Sequence, residues 1–132
     1  MIEYADFAER HLVALSLFAA SEGWDSFRDP DLVWRALNAP GCITLVAEDT
    51  GKLIGFIQVQ SDLGIHAHLS NILVAKTHRR FGIARRLVEI AFSRSGAKYL
   101  DLVSTEGSDD FYRSFDHQEF PGFRLYPQGR GR

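Results

Sequence analysis

Cysteine is nearly missing from this chain: Cys42 stands alone among 132 residues. A single thiol allows no internal disulfide and no all-cysteine metal site, and such usage suits a reducing compartment. An excess of charge of either sign is missing too. Fifteen Lys and Arg stand against seventeen Asp and Glu, a formal net charge of −2, so there is no global electrostatic case for nucleic acid or an anionic membrane as partner. No apolar run approaches the roughly 18 residues needed to cross a bilayer. Glu3, Asp6, Glu9 and Glu22 break up the first stretch, which does not read as a secretory signal. Internal repeats are absent, and so are a Gly-x-Gly-x-x-Gly run and a P-loop lysine–serine pair, which weakens a nucleotide-binding βαβ reading. The low-complexity tail Gly129-Arg130-Gly131-Arg132 is expected to fray, or to form a crude basic hook. What is left is one ordinary cytoplasmic domain over residues 1–132, with 45% hydrophobic residues to fill a core and its oligomeric state open, a homodimer included.

What is present alternates between helical and strand patterns. Phe7, Leu12, Leu15, Phe18 and Ala19 recur at helical spacing, predicting a helix from about Asp6 to Ala20, stopped by Glu22-Gly23. Asp29-Pro30 is an N-cap followed by proline at the first helical position, opening a short helix to Asn38. Cys42–Glu48 and Leu53–Gln60 flank the turn Asp49-Thr50-Gly51-Lys52, an antiparallel hairpin. Ala67–Ala75 is a third strand. A helix follows over Gly82–Ser95 with Ile83, Leu87, Ile90 and Ala91 on its buried face and Gly96 as its stop. Tyr99–Val103 is another strand, Asp109–Phe115 a short helix, and one or two short strands are expected among the closing aromatics Phe120, Phe123 and Tyr126. The order is ααβββαβαβ. Its central strand–helix–strand unit implies a right-handed crossover and a locally parallel pair.

The most informative stretch is Leu69-Ser-Asn-Ile-Leu-Val-Ala-Lys-Thr-His-Arg-Arg-Phe-Gly-Ile-Ala-Arg-Arg-Leu-Val. An apolar strand feeds a basic turn, and the turn opens an amphipathic helix. Free N–H groups and the dipole of a helix start make an anion site suited to a pyrophosphate. Gly82 lets the backbone approach such a ligand without a Cβ in the way, Ala84 keeps the next turn small, and Arg79, Arg80, Arg85 and Arg86 add cationic field. The bland alternative is a solvated arginine face.

Arg79-Arg-Phe-Gly82-Ile-Ala84, placed between Val74 and Leu87-Val88, resembles the central motif of the GNAT N-acetyltransferase superfamily. Gly55-Phe56 in the hairpin and Phe111-Tyr112 in the last helix match flanking motifs in the right order, so that the resemblance spans about residues 42 to 126. The closing Phe120–Pro127 segment is similar to that of small single-domain members. The resemblance implies an α/β (α+β) fold with a mostly antiparallel twisted sheet, flanked by helices and carrying a splayed parallel strand pair at its centre. It implies acetyl-coenzyme A as cosubstrate, no metal, and an amine acceptor attacked directly in a ternary complex. On this resemblance the motif strand carries a bulge near its end. Ile72, Leu73 and Val74 would line the pantetheine arm with main-chain groups, one of whose N–H groups would polarise the thioester carbonyl. The pyrophosphate would rest on main-chain amides from Arg80 through Phe81, Gly82, Ile83 and Ala84 to Arg85, with Arg79 beside them.

Tyr112 falls at the family's general-acid position; a phenol with a pKa near 10 is protonated at neutral pH. The glutamate that serves some members as base is His68 here, an alternative being ordered water. His66, His68 and Ser70 alternate onto one strand face, and the two histidines have no evident third partner for a metal. Thr105, Ser108 and Asp116-His117 depart from the family pattern of Asn, Ala and Gly-Phe, which bears on contacts of that loop with the cofactor. The acceptor loop would be Ser21–Phe27, where Trp24 and Phe27 could wall a pocket or pack in the core, and where Glu22 or Asp25 could hold an ammonium or stay solvated. A non-catalytic acetyl-coenzyme A sensor is the rival reading from another functional class.

Overall fold

In the computed structural model, residues 1–129 are described; of the basic tail, 130–132 lie outside them. The elements in chain order are β1 (Ile2–Asp6), α1 (Leu12–Ser21), α2 (Pro30–Leu37), β2 (Cys42–Asp49), β3 (Lys52–Ser61), β4 (His66–Val74), α3 (Ile83–Ser95), β5 (Tyr99–Asp101) and α4 (Asp109–Arg113). Single 3₁₀ turns stand at Glu9–His11, Asp25–Arg28 and Lys76–His78. Contacts divide the chain into two compact units, Met1–Asp101 and the residues from Leu102 on.

The first unit holds the whole sheet, in the order β1-β2-β3-β4-β5. Every neighbouring pair is antiparallel except β4–β5, which is parallel. The fold is thus the mixed, mostly antiparallel α/β class that the sequence implies. Two irregularities shape β4 and its ladders. In the β3–β4 ladder Gln58 pairs with Asn71 but Val59 with Leu69, so Ser70 is an extra residue that bulges β4. The β4–β5 ladder has three pairs, the last being His68 with Asp101, while β4 runs on to Val74. The parallel pair therefore joins only at its beginning, which is the splay expected of it.

Alternation sends successive side chains to opposite faces. On one face Val46, Phe56 and Leu73 meet Phe7, Leu15 and Ala19 and the α2 residues Val33 and Leu37 in a buried cluster. The other is covered by α3, which buries Ile83, Leu87, Val88 and Ala91 against β2, β3 and β4. A fully buried side chain such as Phe56 contributes roughly 1.5–3 kcal/mol by leaving water. α2 starts as its sequence dictates: Asp29 accepts from the amides of Asp31 and Leu32 at 3.1 and 3.4 Å, with Pro30 in the first turn.

Three sequence expectations change. The chain opens with a strand, β1, paired to β2 from Ile2↔Asp49 to Asp6↔Leu45, and the first helix starts at Leu12 rather than Asp6. An edge strand of five residues with Glu3 and Asp6 pointing to water carries little apolar signal, and Phe7 belongs to the end of that strand, its amide bonded to Thr44 O at 2.9 Å. β5 ends at Asp101, not Val103. In the second unit α4 is the one regular element among the described residues; the expected closing strands do not form there. Pro121, Gly122 and Pro127 interrupt any ladder, and Phe120, Phe123 and Leu125 stand 70–88% exposed.

Candidate functional site

The basic turn after β4 is held from behind. Ala75 N donates to Ile54 O at 2.8 Å. His78 Nε2 lies 2.8 Å from Asp49 Oδ2 in the β2–β3 turn, and His78 Nδ1 2.8 Å from Thr77 Oγ1. The His78 hydrogen bond, with the Met1 amine next in order, pulls the Asp49 carboxyl down to about 2. Beyond this clamp the backbone turns through left-handed conformations at Arg80 (φ 69°) and Gly82 (φ 76°) and enters α3.

Gly82 is the N-cap, and no side chain caps the helix. The bond from Arg86 N to Gly82 O, at 3.0 Å, is the first rung of the α3 ladder, so the amides ahead of it have no acceptor within the helix and the dipole's positive end is undiluted. A Cβ added to Gly82 would meet nothing within 4 Å, so the backbone lies open on that side. Arg80 and Phe81 are exposed, Ala84 and Arg85 half-buried, and Ile83 is buried at 3% exposure. Ile83 can therefore offer a ligand its main chain alone. Backbone amides at an open, uncapped helix head, with guanidinium groups nearby, fit a diphosphate.

Arg79 is placed differently. Its Nε donates to Val74 O, the last carbonyl of β4, at 3.1 Å, and its Nη2 stands 3.6 Å from Glu22 Oε1. Leu73 and Val74 keep their side chains in the core, and Ile72 is half-buried. All three lie beyond the last β5 pair, so a ligand beside them would meet main chain.

Just before them, an amide chain crosses the sheet. Asn71 Nδ2 donates to Gln58 Oε1 at 2.7 Å, and Gln58 Nε2 to Ala36 O at 2.9 Å, with Cys42 Sγ at 3.3 Å. Thr44 Oγ1 donates to Leu37 O at 2.7 Å. The sheet's polar side chains thus satisfy the final carbonyls of α2, and Asn71 is fixed by them.

His68 pairs in register with Gln60 on one side and Asp101 on the other. Gln60 Nε2 donates to Ser70 Oγ at 2.6 Å, so the bulged serine shares the histidine face. Asp101 is engaged with the other imidazole: His66 Nε2 lies 2.7 Å from Asp101 Oδ2, and its ring packs on Tyr99 at 5.6 Å. Asp62 anchors the entry to this strand, accepting from the amides of Gly64, Ile65 and His66. The bonds from Ile65, Gly64 and His66, in that order, hold its carboxyl below the ordinary 3.8. Among the described residues no three or more His, Cys, Asp or Glu cluster as a metal site.

The expected acceptor loop is packed rather than open. Trp24 and Phe27 meet at 5.4 Å and both lie on Phe56, at 5.9 and 5.8 Å. Asp25 pairs with Arg28 at 3.1 Å, and Glu22 with Arg79. Tyr112 lies in the second unit, on α4, edge-on to Phe111 at 5.0 Å. Burial pushes its phenol above the ordinary 10.0, so it is protonated at neutral pH. In the same unit, Ser108 donates through both N and Oγ to Thr105 O, at 3.1 and 2.6 Å.

Sequence reasoning finds the turn, β4 and the histidines. It misses Asp101 beside His66, Gln58 behind Asn71, and the Arg79–Glu22 pair. Each of these joins residues 13 to 57 positions apart, and only the strand alternation of 99–101 gave any hint of the first.

The model of the Acetyltransferase (GNAT) family matches residues 9–116. Solved structures share the fold. A putative acetyltransferase from Deinococcus radiodurans R1 is 21% identical with a TM-score of 0.78, over 96% of this chain and 88% of that one. The ribosomal-protein-alanine N-acetyltransferase from Brucella melitensis biovar Abortus 2308 is 18% identical with a TM-score of 0.71, over 96% and 99%. AAC(6')-Iy, in complex with the bisubstrate analogue CoA-S-monomethyl-acetylneamine, is 16% identical with a TM-score of 0.75, over 96% and 98%. With the family model covering most of the sequence, this chain belongs to the GNAT acetyltransferase family.

Proposed function

We propose that the protein is an N-acetyltransferase that moves the acetyl group of acetyl-coenzyme A to an amine by direct attack in a ternary complex. The observation that carries this reading is the uncapped head of α3, where main-chain amides from Arg80 to Arg85 stand at an open turn around Gly82. A diphosphate is the anion such a turn suits best, and the family's use of acetyl-coenzyme A supplies one. Acetyl-coenzyme A is a substrate here, consumed at every turnover, and it brings an acyl carbon already activated as a thioester.

The chain's own tasks are then limited. The turn holds the diphosphate. Main chain at Ile72, Leu73 and Val74 receives the pantetheine arm where β5 has left β4. Positioning amine against thioester does much of the catalytic work. The amine must lose a proton before it attacks, and His68, at the family's base position, is proposed to take it. A second imidazole has a specific observation in its favour: Asp101 fixes His66 with Nε2 toward the carboxylate, which leaves Nδ1 as the basic nitrogen. Tyr112 is proposed to donate its phenolic proton to the departing thiolate. The thiol of Cys42 is turned toward Ala36 O and Gln58, and the scheme uses no acyl-enzyme.

The acceptor is proposed to be a free amine rather than a nucleic acid or lipid, and the cytoplasm is the proposed compartment. No helix among the described residues is long and apolar enough to cross a membrane. Calorimetric titration with acetyl-coenzyme A tests the first half of the reading. A panel of small amines, amino acids, aminoglycosides and peptides, followed by free-thiol release and acetyl mass gain, tests the second. Binding with no turnover on any acceptor would favour a cofactor sensor; no binding would sink both.

A further inference from the structure

We propose that Arg79 is a positioning residue that couples the cofactor turn to the loop after α1, rather than a direct ligand of the diphosphate. The inference rests on the cofactor reading above.

Arg79 is the first arginine of the basic turn, yet its guanidinium faces back into the fold. Nε donates to the carbonyl that ends β4, and Nη2 meets the carboxylate of Glu22. A guanidinium is a planar fork whose donors cannot be re-aimed one at a time. Moving it to a phosphate would strip both the Val74 carbonyl and Glu22 of their partner. Its charge still adds to the field at the turn, 50% exposed as the side chain is, but its contacts go elsewhere.

What it touches gives the coupling its direction. Glu22 is the C-cap of α1, its amide bonded to Ala19 O at 3.1 Å. Two residues on, Trp24 packs against Phe27 and Phe56, and this is the loop that the family resemblance assigns to the acceptor. Val74 O, on the other side of the fork, belongs to the stretch proposed to receive the pantetheine arm. The next residue, Arg80, has a left-handed backbone, so an anion settling on the turn acts on a segment whose conformation is set at Arg80 and Gly82. Any adjustment of the Arg79 backbone there reaches Glu22, and hence Trp24, through a guanidinium held at both sides, by the Val74 carbonyl and by the Glu22 carboxylate. Filling the turn with cofactor thereby sets the acceptor loop.

The test needs no identified amine. Protein labelled with 5-fluorotryptophan carries two reporters: Trp24 in the loop and Trp34 on α2, against Phe7 at 5.6 Å, as internal control; Trp34→Phe assigns the signals. The probe is acetyl-coenzyme A, with its affinity measured in parallel by calorimetry. Saturating cofactor is expected to shift the Trp24 resonance and leave that of Trp34 in place. Glu22→Gln and Arg79→Lys should each abolish the Trp24 shift. Their dissociation constants should stay within about fivefold of wild type, since a partly exposed ion pair is worth at most about 1 kcal/mol and lysine keeps the charge without the fork. A Trp24 shift that survives both substitutions overturns the proposal, as does a silent Trp24 at calorimetric saturation. A tenfold or greater loss of affinity in Arg79→Lys, with Glu22→Gln unchanged in both measurements, would make Arg79 a diphosphate ligand after all. Absence of heat in the wild type would remove the cofactor reading itself, and this coupling with it.

Discussion

At the scale of single residues, the candidate site depends on atoms that are missing as much as on those present. Gly82 has φ 76°, and a Cβ there would project into open space. Gly82→Leu should therefore cost roughly 1–2 kcal/mol of left-handed strain with no clash in the core, so the variant folds. The same side chain fills the space before the α3 amides, and acetyl-coenzyme A binding should fall below detection by calorimetry while the thermal midpoint drops only modestly. Retained affinity in that variant would refute the cradle. Tyr112 supplies a second residue-scale expectation. Its phenol titrates above 10.0 because burial disfavours the phenolate, so the difference in ultraviolet absorbance between wild type and Tyr112→Phe should show a transition above pH 10. The unfolded chain loses that proton first, so the stabilisation is complete below pH 10 and is lost as pH rises through the folded value. If the phenol is the general acid, kcat of Tyr112→Phe falls by about 10²-fold or more with little change in KM for the cofactor; an unchanged kcat removes Tyr112 from the chemistry. Gly82 could be picked from the sequence as a glycine before an amphipathic helix, whereas Tyr112 could be picked only through the family resemblance that its Phe-Tyr pair carries. The left-handed Arg80 backbone and the inward turn of the Arg79 side chain were not legible: φ > 0 is uncommon for a residue other than glycine, and Glu22, which holds the Arg79 guanidinium, stands 57 positions away.

At the scale of elements, the junction of α2 with the sheet is where polar groups are most deeply committed. Gln58 is buried at 4% exposure and links Asn71, Cys42 and the Ala36 carbonyl. Gln58→Ala would take the acceptor from the Asn71 amide, leave the Ala36 carbonyl with its weaker donors Cys42 Sγ and Ala39 N, and open a void, so denaturant titration should show a loss of roughly 2–4 kcal/mol. A loss under about 0.5 kcal/mol would mean that water or a rotated Asn71 replaces the amide. The elements themselves were readable wherever one face is apolar and the ends are marked. Asp29-Pro30 opens α2, the Thr50-Gly51 turn makes the β2–β3 hairpin, and Gly96 closes α3 with φ 67°. α1 shows the limit. It is apolar nearly all round, with Val13 and Leu17 exposed while Leu15 and Ala19 are buried, so its periodicity could not fix its start, and the preceding strand was absorbed into it. The bulge at Ser70 was legible only through the family resemblance, and its position only from the pairing. A one-residue slip between Leu69 and Asn71 leaves no mark in the sequence, yet it turns Asn71 onto the face of Gln58, which plain alternation would have denied it.

At the scale of the whole first unit, three distant parts of the chain meet at one half-buried carboxylate. Asp49 closes the β2–β3 hairpin, accepts from the Met1 amine at 3.2 Å and holds His78 of the basic turn at 2.8 Å. Met1 O also accepts from Thr50 N at 3.4 Å. The edge strand β1, which the sequence did not announce, is thus tied through Met1, just ahead of it, to the same hairpin end that supports the candidate cofactor turn. Because these partners favour the ionised form, the Asp49 carboxyl titrates at about 2 rather than 3.8. Its contribution to stability is therefore fully present above about pH 4 and is lost as pH falls through about 2. Thermal midpoints measured from pH 7 down to pH 2 should hold steady as far as about pH 4 as regards this group and then decline. Asp49→Asn should start lower at pH 7 and decline less between pH 4 and pH 2, because the group that titrates there is gone. The same substitution removes the charge that holds His78 and weakens that bond, so acetyl-coenzyme A affinity at pH 7 should weaken along with the midpoint, although Asp49 itself lies behind the turn. If the Asn variant followed the wild-type acid profile throughout, the anchoring of β1 and of the turn would have to reside in the backbone ladder alone.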